Sequence, residues 1–370
     1  MSVYRRPLLQ AWEAAYTAEL TLDQLRRRAA TVGAALAGQR ARCLIAFDTR
    51  FLANLLAQTL AHDLAAQGVT VVLADAPAPL PAIHHALDRK QADCALYVSA
   101  RNRPYYMGGL ILIADEKSGL RIHPTSDPLP PVAFPPLTPP QTTVDLRAPY
   151  LDALRNMIDL DAIRRLPMTF FIDAMAGTTA GMVTALLGEG GQTRAIEINR
   201  DPDPLFARGA PQPFEATLTR LRKLVRESDS HLGLALSGDG TSLAVVDPAG
   251  EVLDPFEVSL LLAGHLAAHH RQRGVVLAPP PAPQNPLRLQ PKHLAAWEDA
   301  TGLKLEVVSD GLHLERQPLV AMTATGEVAL SRWSGCPDGL LAGLLLCEAV
   351  SRSNGGLRAL CAALRAQFSA

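Results

Sequence analysis

The residues whose types and spacing could do chemistry are gathered in a few short loops. The richest is Ser237-Gly-Asp-Gly-Thr-Ser242, which lies between the apolar run Leu232–Leu236 and a second apolar run that ends at Asp247. A hard divalent cation such as magnesium takes several oxygen ligands, carboxylates among them. This loop offers one carboxylate, Asp239, with hydroxyls at Ser237, Thr241 and Ser242. The outline of a metal loop is present and most of its charge is absent. Asp239, set between two glycines, also reads as a turn residue that caps neighbouring backbone N–H groups. A second group is basic: Arg50, and the pair Arg101 and Arg103 within Ser99-Ala-Arg-Asn-Arg-Pro104. Planar guanidinium groups suit a phosphate or carboxylate, so these three arginines form a candidate anion site, against the plainer reading of an exposed basic loop. Gly177-Thr-Thr-Ala-Gly181 could cradle a phosphate at a helix start, a weak signal that close packing explains equally well. The histidines on expected helices (His84, His85, His265, His269, His270) read as surface or packed residues. His265 and His269 share a helix face, but no third ligand with metal-site spacing stands near them in sequence.

The elements that must position these loops alternate. Helical spacing over Leu22–Leu36 is followed by strand Cys43–Phe47, helix Phe51–Gln67, strand Val69–Leu73, a helix opening at Pro81, and strands Ala95–Val98 and Leu110–Ile113. Strands separated by helices of this length imply a mainly parallel sheet covered on both faces. The pattern repeats near residues 150–251, with strands at Thr169–Ile172, Ala195–Ile198 and Leu232–Leu236 and helices at Tyr150–Ile158 and Phe214–Glu227. It repeats again from Asp254: helix Pro255–His270, strand Gly274–Ala278, helix Pro291–Ala300, strand Leu303–Val308 and helices Asp338–Val350 and Gly356–Phe368. The apolar helix Leu340–Val350 is expected to be core, or else to face a partner. The prolines from Pro128 to Pro140 cannot serve a helix interior or a central strand, so 124–140 reads as a linker.

At 370 residues the chain is long enough for two or three domains. Thirty-five Lys and Arg against 36 Asp and Glu give a net charge near −1, which supplies no general attraction to nucleic acid or an anionic membrane. Arg26–Arg28 reads as a solvated helix face. Five scattered cysteines, without a CxxC pair, argue against a disulfide framework and structural zinc. With no N-terminal signal pattern and no spanning apolar stretch, a cytoplasmic protein is expected.

In this order and on these elements the loops resemble those of the α-D-phosphohexomutase superfamily, the phosphoglucomutases and phosphomannomutases, over residues 22–370. Asp48-Thr-Arg50 is similar to the family's Asp-x-Arg after the first strand, and Leu80-Pro81 stands where Thr-Pro is usual. Asp173-Ala-Met-Ala-Gly177 is similar to an Asp-x-x-x-Gly turn, and Pro202-Asp-Pro-Leu-Phe206 to a Pro-Asp-x-x-Phe segment. Pro211-Gln-Pro213, Arg332-Trp-Ser-Gly335 and Asp338-Gly-Leu-Leu341 carry the likeness further. The resemblance implies three consecutive α/β/α domains with mixed, mainly parallel sheets, at 1–149, 150–252 and 253–370, with no counterpart of the family's fourth, phosphate-gripping domain.

The resemblance also implies where an active member's residues should stand. The phosphoserine position holds Arg101, with Ser99 nearby, and a guanidinium has no nucleophilic oxygen. The magnesium loop is reduced to Ser237, Asp239 and Thr241. The sugar loop falls at Ala321, Met322, Thr323, Ala324, Thr325, Gly326 and Glu327 without the family's Glu and Ser-Gly, Glu327 being a substitute in a slipped register. The expectation is a catalytically impaired homologue with a binding, regulatory or assembly role and no cofactor. It would bind a phosphorylated sugar or another anion weakly, and a protein partner or second copy would cover the side where the fourth domain is absent. The alternative is a divergent mutase, an intramolecular phosphotransferase of carbohydrate metabolism that uses Ser99 and holds magnesium weakly.

Overall fold

The computed structural model describes residues 7–120, 142–188, 191–207, 209–285, 287, 289–331, 333 and 336–368. The proposed linker at 124–140, and Arg332, Ser334 and Gly335 of the motif quoted above, lie outside the described residues. The chain packs as two compact units: Met1–Tyr150 with Ala176–Thr178 and Pro202–Pro211, and the remainder.

The first unit is built on β1 (Pro7–Ala15), α1 (Leu22–Gln39), β2 (Arg42–Phe47), α2 (Ala53–Ala66), β3 (Thr70–Ala74), α3 (Leu80–Asp88), β4 (Cys94–Val98), β5 (Met107–Asp115) and β6 (Thr143–Val144). They form one sheet in the order β1-β5-β4-β2-β3-β6. Its centre is parallel, with Phe47 opposite Val98 at the carboxyl ends of β2 and β4. All five residues of β4 and all but Arg42 of β2 are buried, as suits strands covered on both faces. The edge strand β1, antiparallel to β5 from Pro7↔Asp115 to Ala15↔Met107, is not evident from the sequence. Trp12 and Ala14, two residues apart, turn its inner face to the core.

This inner face also corrects the reading of Arg26–Arg28 as solvated. The Arg28 guanidinium stacks 4.3 Å over the Trp12 ring and is buried, a cation–π contact strengthened by desolvation. Arg26 makes a bidentate pair with the buried Asp63 of α2, at 2.5 and 2.6 Å. Of the three, Arg27 makes a surface helical pair, with Asp23.

The second unit carries two sheets. One is formed by β7 (Thr169–Asp173), β8 (Arg194–Ile198), β9 (Leu232–Leu236) and β10 (Leu243–Val246), with helices α4 (Arg147–Arg155), α5 (Leu160–Arg164), α6 (Met182–Leu187) and α7 (Thr219–Glu227) around it. Its order is β10-β9-β7-β8, with β10 antiparallel to β9. The other is formed by β11 (Val275–Ala278), β12 (Lys304–Val307), β13 (Val320–Met322) and β14 (Val328–Ala329), with α8 (Pro255–His269), α9 (Pro291–Thr301), α10 (Gly339–Arg352) and α11 (Gly356–Gln367). Its order is β12-β11-β13-β14, again with an antiparallel hairpin at one edge. The fold is therefore α/β with three mixed, mostly parallel sheets.

One helix explains why two sheets share a unit. Every residue of α10 from Gly339 to Val350 is buried, and α10 packs against β9 and β10 of one sheet and against β14 and α8 of the other. A helix apolar on all sides needs cover on all sides, and the two sheets supply it from within the chain. Among the described residues no helix is long and apolar enough to cross a membrane.

The approach of α10 depends on a missing side chain. A Cβ on Gly339 would lie 2.6 Å from the Ser242 carbonyl oxygen and 2.8 Å from its carbon. Gly339→Ala is expected to lower the unfolding free energy by about 1–3 kcal/mol, as overpacking against backbone does. Gly38→Ala, on α1 where a Cβ meets nothing within 4 Å, should be neutral or stabilising by up to about 1 kcal/mol. Urea midpoints of the two variants check this; equal midpoints would contradict it.

Candidate functional site

In the first unit the carboxyl ends of neighbouring parallel strands bring two loops side by side, the position where open α/β sheets place their sites. Asp48-Thr49-Arg50 leaves β2 and Ser99–Pro104 leaves β4. Ser99 Oγ donates to Asp48 Oδ2 at 2.6 Å and accepts the Arg101 N–H at 2.8 Å. Asp48 also accepts the Arg50 N–H at 2.9 Å and Arg50 Nε at 3.1 Å. The rest of the Arg50 guanidinium is spent on backbone: Nη1 donates to the carbonyls of Pro104 and Met107, and Nη2 to those of Arg101 and Arg103. Its face lies 5.0 Å from the Phe206 ring.

This geometry corrects one member of the expected anion site. A guanidinium has five N–H donors, and all five of Arg50 are used on Asp48 and the loop, with the residue only 4% exposed. Arg50 is a loop-binding residue. Arg103 is exposed and pairs with Glu13 Oε2 at 2.8 Å. Arg101 sits in the left-handed region, with φ 49°, half-buried beside His84. Ser99 is 1% exposed, so its hydroxyl is an internal brace of the loop.

His84 is a buried residue of α3 whose Nε2 makes no hydrogen bond. Burial, then the nearby Arg101 charge, lowers its pKa from 6.5 to about 4. Tyr16 donates to the Phe51 carbonyl at 2.9 Å, and burial, then the Asp48 charge, pushes its pKa up to about 12.

In the second unit the loop Ser237–Ser242 is the turn of the β9–β10 hairpin. Asp239 is fully buried, and its Oδ1 accepts three donors from its own loop: Ser237 Oγ at 2.8 Å, Thr241 Oγ1 at 2.8 Å and the Thr241 N–H at 3.1 Å. Ser237 Oγ in turn accepts the Ser242 N–H. The residues do not fit a magnesium ion. A hard cation needs lone pairs aimed at it and several carboxylates, whereas hydroxyl and amide protons are aimed at the one carboxylate here.

The expected sugar-loop segment divides between two elements. Ala321 and Met322 belong to β13, and Thr323, Ala324, Thr325, Gly326 and Glu327 make the tight turn into β14, where the Glu327 N–H donates to Thr323 Oγ1. The two turns are joined by backbone. Ser242 bridges to Glu327, the Leu243 N–H donates to the Gly326 carbonyl, and the Gly339 N–H donates to the Gly240 carbonyl. At α10 the fully buried Asp338 caps the Leu341 N–H and accepts Trp333 Nε1. In place of a pocket with free ligand oxygens, the structure has a hydrogen-bonded seam between two sheets.

The glycine-rich cradle before α6 is also filled. The Gly181 N–H donates to both oxygens of Glu197, at 2.9 and 3.0 Å, so a carboxylate of this chain already occupies the anion position. Asp173, at the end of β7, accepts the Met175 N–H and Asn199 Nδ2.

One cluster was missed from the sequence. Glu348 of α10 lies 3.5 Å from His265 Nε2 and 3.3 Å from His270 Nε2, supplying the third partner that sequence spacing did not show. Burial would raise the Glu348 pKa, but His265, His270 and the Asp159 N–H outweigh it and lower it to about 2. The available signals were a lone acid in an apolar helix and a histidine just past a helix end; neither specifies that the two meet.

Similarity to known proteins accords with this architecture. The pattern of the phosphoglucomutase/phosphomannomutase α/β/α domain I matches residues 12–126, and that of domain II matches 148–250. A phosphoglucosamine mutase of Myxococcus xanthus (strain DK1622) is 28% identical over 251 residues, 64% of this chain and 53% of the relative. A phosphoglucomutase/phosphomannomutase of Thermococcus kodakarensis (strain ATCC BAA-918 / JCM 12380 / KOD1) is 24% identical over 233 residues, 61% of this chain and 50% of the relative. The chain thus spans about half the length of these relatives. A solved structure of a candidate phosphomannomutase from Thermus thermophilus superposes with TM-score 0.80 at 23% identity, covering 100% of this chain and 85% of that one.

Two measurements test the first-unit node. Arg50→Met leaves the buried Asp48 without its countercharge and removes the guanidinium bonds to four carbonyls; the loss of a buried pair costs about 3–5 kcal/mol, read as a fall in the urea midpoint. Wild-type stability would contradict the node. His84 is held neutral when folded, so the unfolded chain binds more protons between its folded value of about 4 and its free value of 6.5. Its contribution is therefore present above pH 6.5 and lost as pH falls toward 4. His84→Gln should flatten the decline in unfolding free energy over that window; an unchanged slope would refute the assignment.

Proposed function

The chain belongs to the phosphoglucomutase/phosphomannomutase family, and we propose that it is a member in which phosphoryl transfer has lapsed while the frame serves binding or regulation. The observation that carries this reading is the state of Ser99, the hydroxyl nearest the family's phosphoserine position. It is buried, donates to Asp48 and accepts from the Arg101 backbone. In-line transfer tolerates little displacement of the nucleophile, and Ser99 would have to leave both partners to reach a substrate. Arg101, at the phosphoserine position itself, has no oxygen to phosphorylate. The closed Asp239 turn supports the same reading, since it presents donors where a metal would need acceptors.

The binding role we assign rests on the first-unit loop. Arg101 and Arg103 supply positive charge for a phosphorylated sugar or a similar anion, with weak affinity because both already interact within the chain, Arg103 with Glu13. Phe51, Leu52, Leu55, Tyr105 and Tyr106 are exposed large apolar side chains on the same two loops and the start of α2, a surface that suits a protein partner. We place the protein in the cytoplasm, supported by its five buried cysteines, none of them in a disulfide.

A second reading, a divergent intramolecular phosphotransferase, is favoured by the mutase names of the relatives. Purified protein supplied with magnesium, a hexose 1,6-bisphosphate primer and the 1-phosphates of glucose, mannose and glucosamine separates the two. We expect no turnover above the buffer rate and no phosphate on Ser99 by mass spectrometry. Turnover that Ser99→Ala abolishes would establish the enzyme and overturn the non-catalytic reading.

A further inference from the structure

The cluster His265–His270–Glu348 lies away from the family loops described above, and its geometry is that of a ligand set. Around a tetrahedral ion with ligands at about 2.0–2.2 Å, neighbouring donor atoms stand roughly 3.4 Å apart. The two His Nε2 to Glu348 distances are 3.5 and 3.3 Å, and the three donor atoms all lie within 4.8 Å of one another. The His270 contact is also a long hydrogen bond, Nε2 to Glu348 Oε2 at 3.3 Å, whereas a charged N–H to carboxylate bond would be nearer 2.7–2.9 Å. His265 is 6% exposed, and its buried Nε2 faces Glu348 Oε1 at 3.5 Å, beyond the usual hydrogen-bond range. We propose that His265, His270 and Glu348 form a binding site for a transition-metal dication of the zinc type, with a fourth position open to solvent or an exogenous ligand.

The surroundings favour this chemistry. Two imidazoles and one carboxylate suit zinc or cobalt, whereas magnesium prefers oxygen alone. The carboxylate is oriented by groups behind it, as ligating carboxylates usually are: Arg352 Nε donates to Oε1 at 3.1 Å and the Asp159 N–H donates to Oε2 at 3.2 Å. Arg352 is itself held by Asp159 Oδ2 at 2.6 Å. His270 is the C-cap of the fifteen-residue helix α8, and a cation is favoured at that end of a helix dipole. A cleft of about 290 Å³ is lined by His265 and Arg352, and another of about 240 Å³ by His270. A bound ion would tie the end of α8 to α10, giving a clamp across the helical layer of the third sheet.

The site is independent of whether the chain is catalytic, and it is tested on the whole protein. Metal is stripped with a chelator, and Co²⁺ and Zn²⁺ are titrated separately, following the visible bands of bound cobalt, the heat of zinc binding and the thermal unfolding midpoint. The expected result is one saturable site per chain, cobalt bands of tetrahedral intensity, and a raised unfolding midpoint. His270→Gln, at a partly exposed position where folding should persist, is expected to weaken binding by about a hundredfold or more. His269→Gln, which removes the neighbouring exposed imidazole, should leave binding unchanged. Absence of saturable binding overturns the proposal. So does binding that survives His270→Gln or is lost in His269→Gln, either of which would assign the ion to other histidines.

Discussion

The first unit hangs on one buried cation. Arg50 is nearly sealed from water, and a guanidinium in that position is tolerable only if every N–H finds an acceptor. Asp48 supplies the countercharge and the loop after β4 supplies four carbonyls. The dependence runs both ways. The guanidinium in turn ties together a loop that includes an arginine in the left-handed region, so the loop's path is set by where the guanidinium reaches. Ser99 completes the node by donating to the same Asp48 oxygen that accepts Arg50 Nε. None of this requires a catalytic group: the loop's course is set by Arg50, Asp48 and Ser99.

The same logic applies in the second unit with opposite charge. A magnesium loop holds several carboxylates together only while the ion is present, because like charges at close range are costly. In the turn Ser237–Ser242 the buried Asp239 carboxylate accepts three neutral donors from Ser237 and Thr241. The turn then bonds by backbone to the β13–β14 hairpin, and Gly339 lets α10 approach within what would be a Cβ clash. Together these contacts make a structural seam between the two sheets.

How much of this was legible in the sequence depends on the range of the interaction. The strands and helices around both loops follow from local periodicity, and the single carboxylate of Ser237–Ser242 and the arginines after β4 are visible as residue types at fixed spacing. Edge strand β1 was not, because its pairing with β5 spans about a hundred residues of chain and its inner face shows only Trp12 and Ala14. Arg26 and Arg28 were misread because their partners, Asp63 and Trp12, lie on other elements. Arg50 looked like an anion ligand because a sequence shows a guanidinium's charge and not the carbonyls that consume it. Glu348 was passed over within a run of leucines, where a lone acid registers as an interruption rather than as the meeting point of two histidines and an arginine.

That last case bears on how the second unit is organised. α10 is apolar on all sides, so burial alone would let it rotate or slide at little cost; uniform cores specify position poorly. Its polar positions remove that freedom. Asp338 fixes the amino end through the Leu341 N–H and Trp333, beside the close contact of Gly339 with Ser242. Glu348 and Arg352 fix the carboxyl end against Asp159, His265 and His270. Glu348 lies nine residues along from Gly339, roughly 14 Å at the rise of an α-helix. The hydrophobic surface supplies the driving force for burying α10, and the two polar ends set its register. The sequence pattern is strongest for the first and nearly silent on the second.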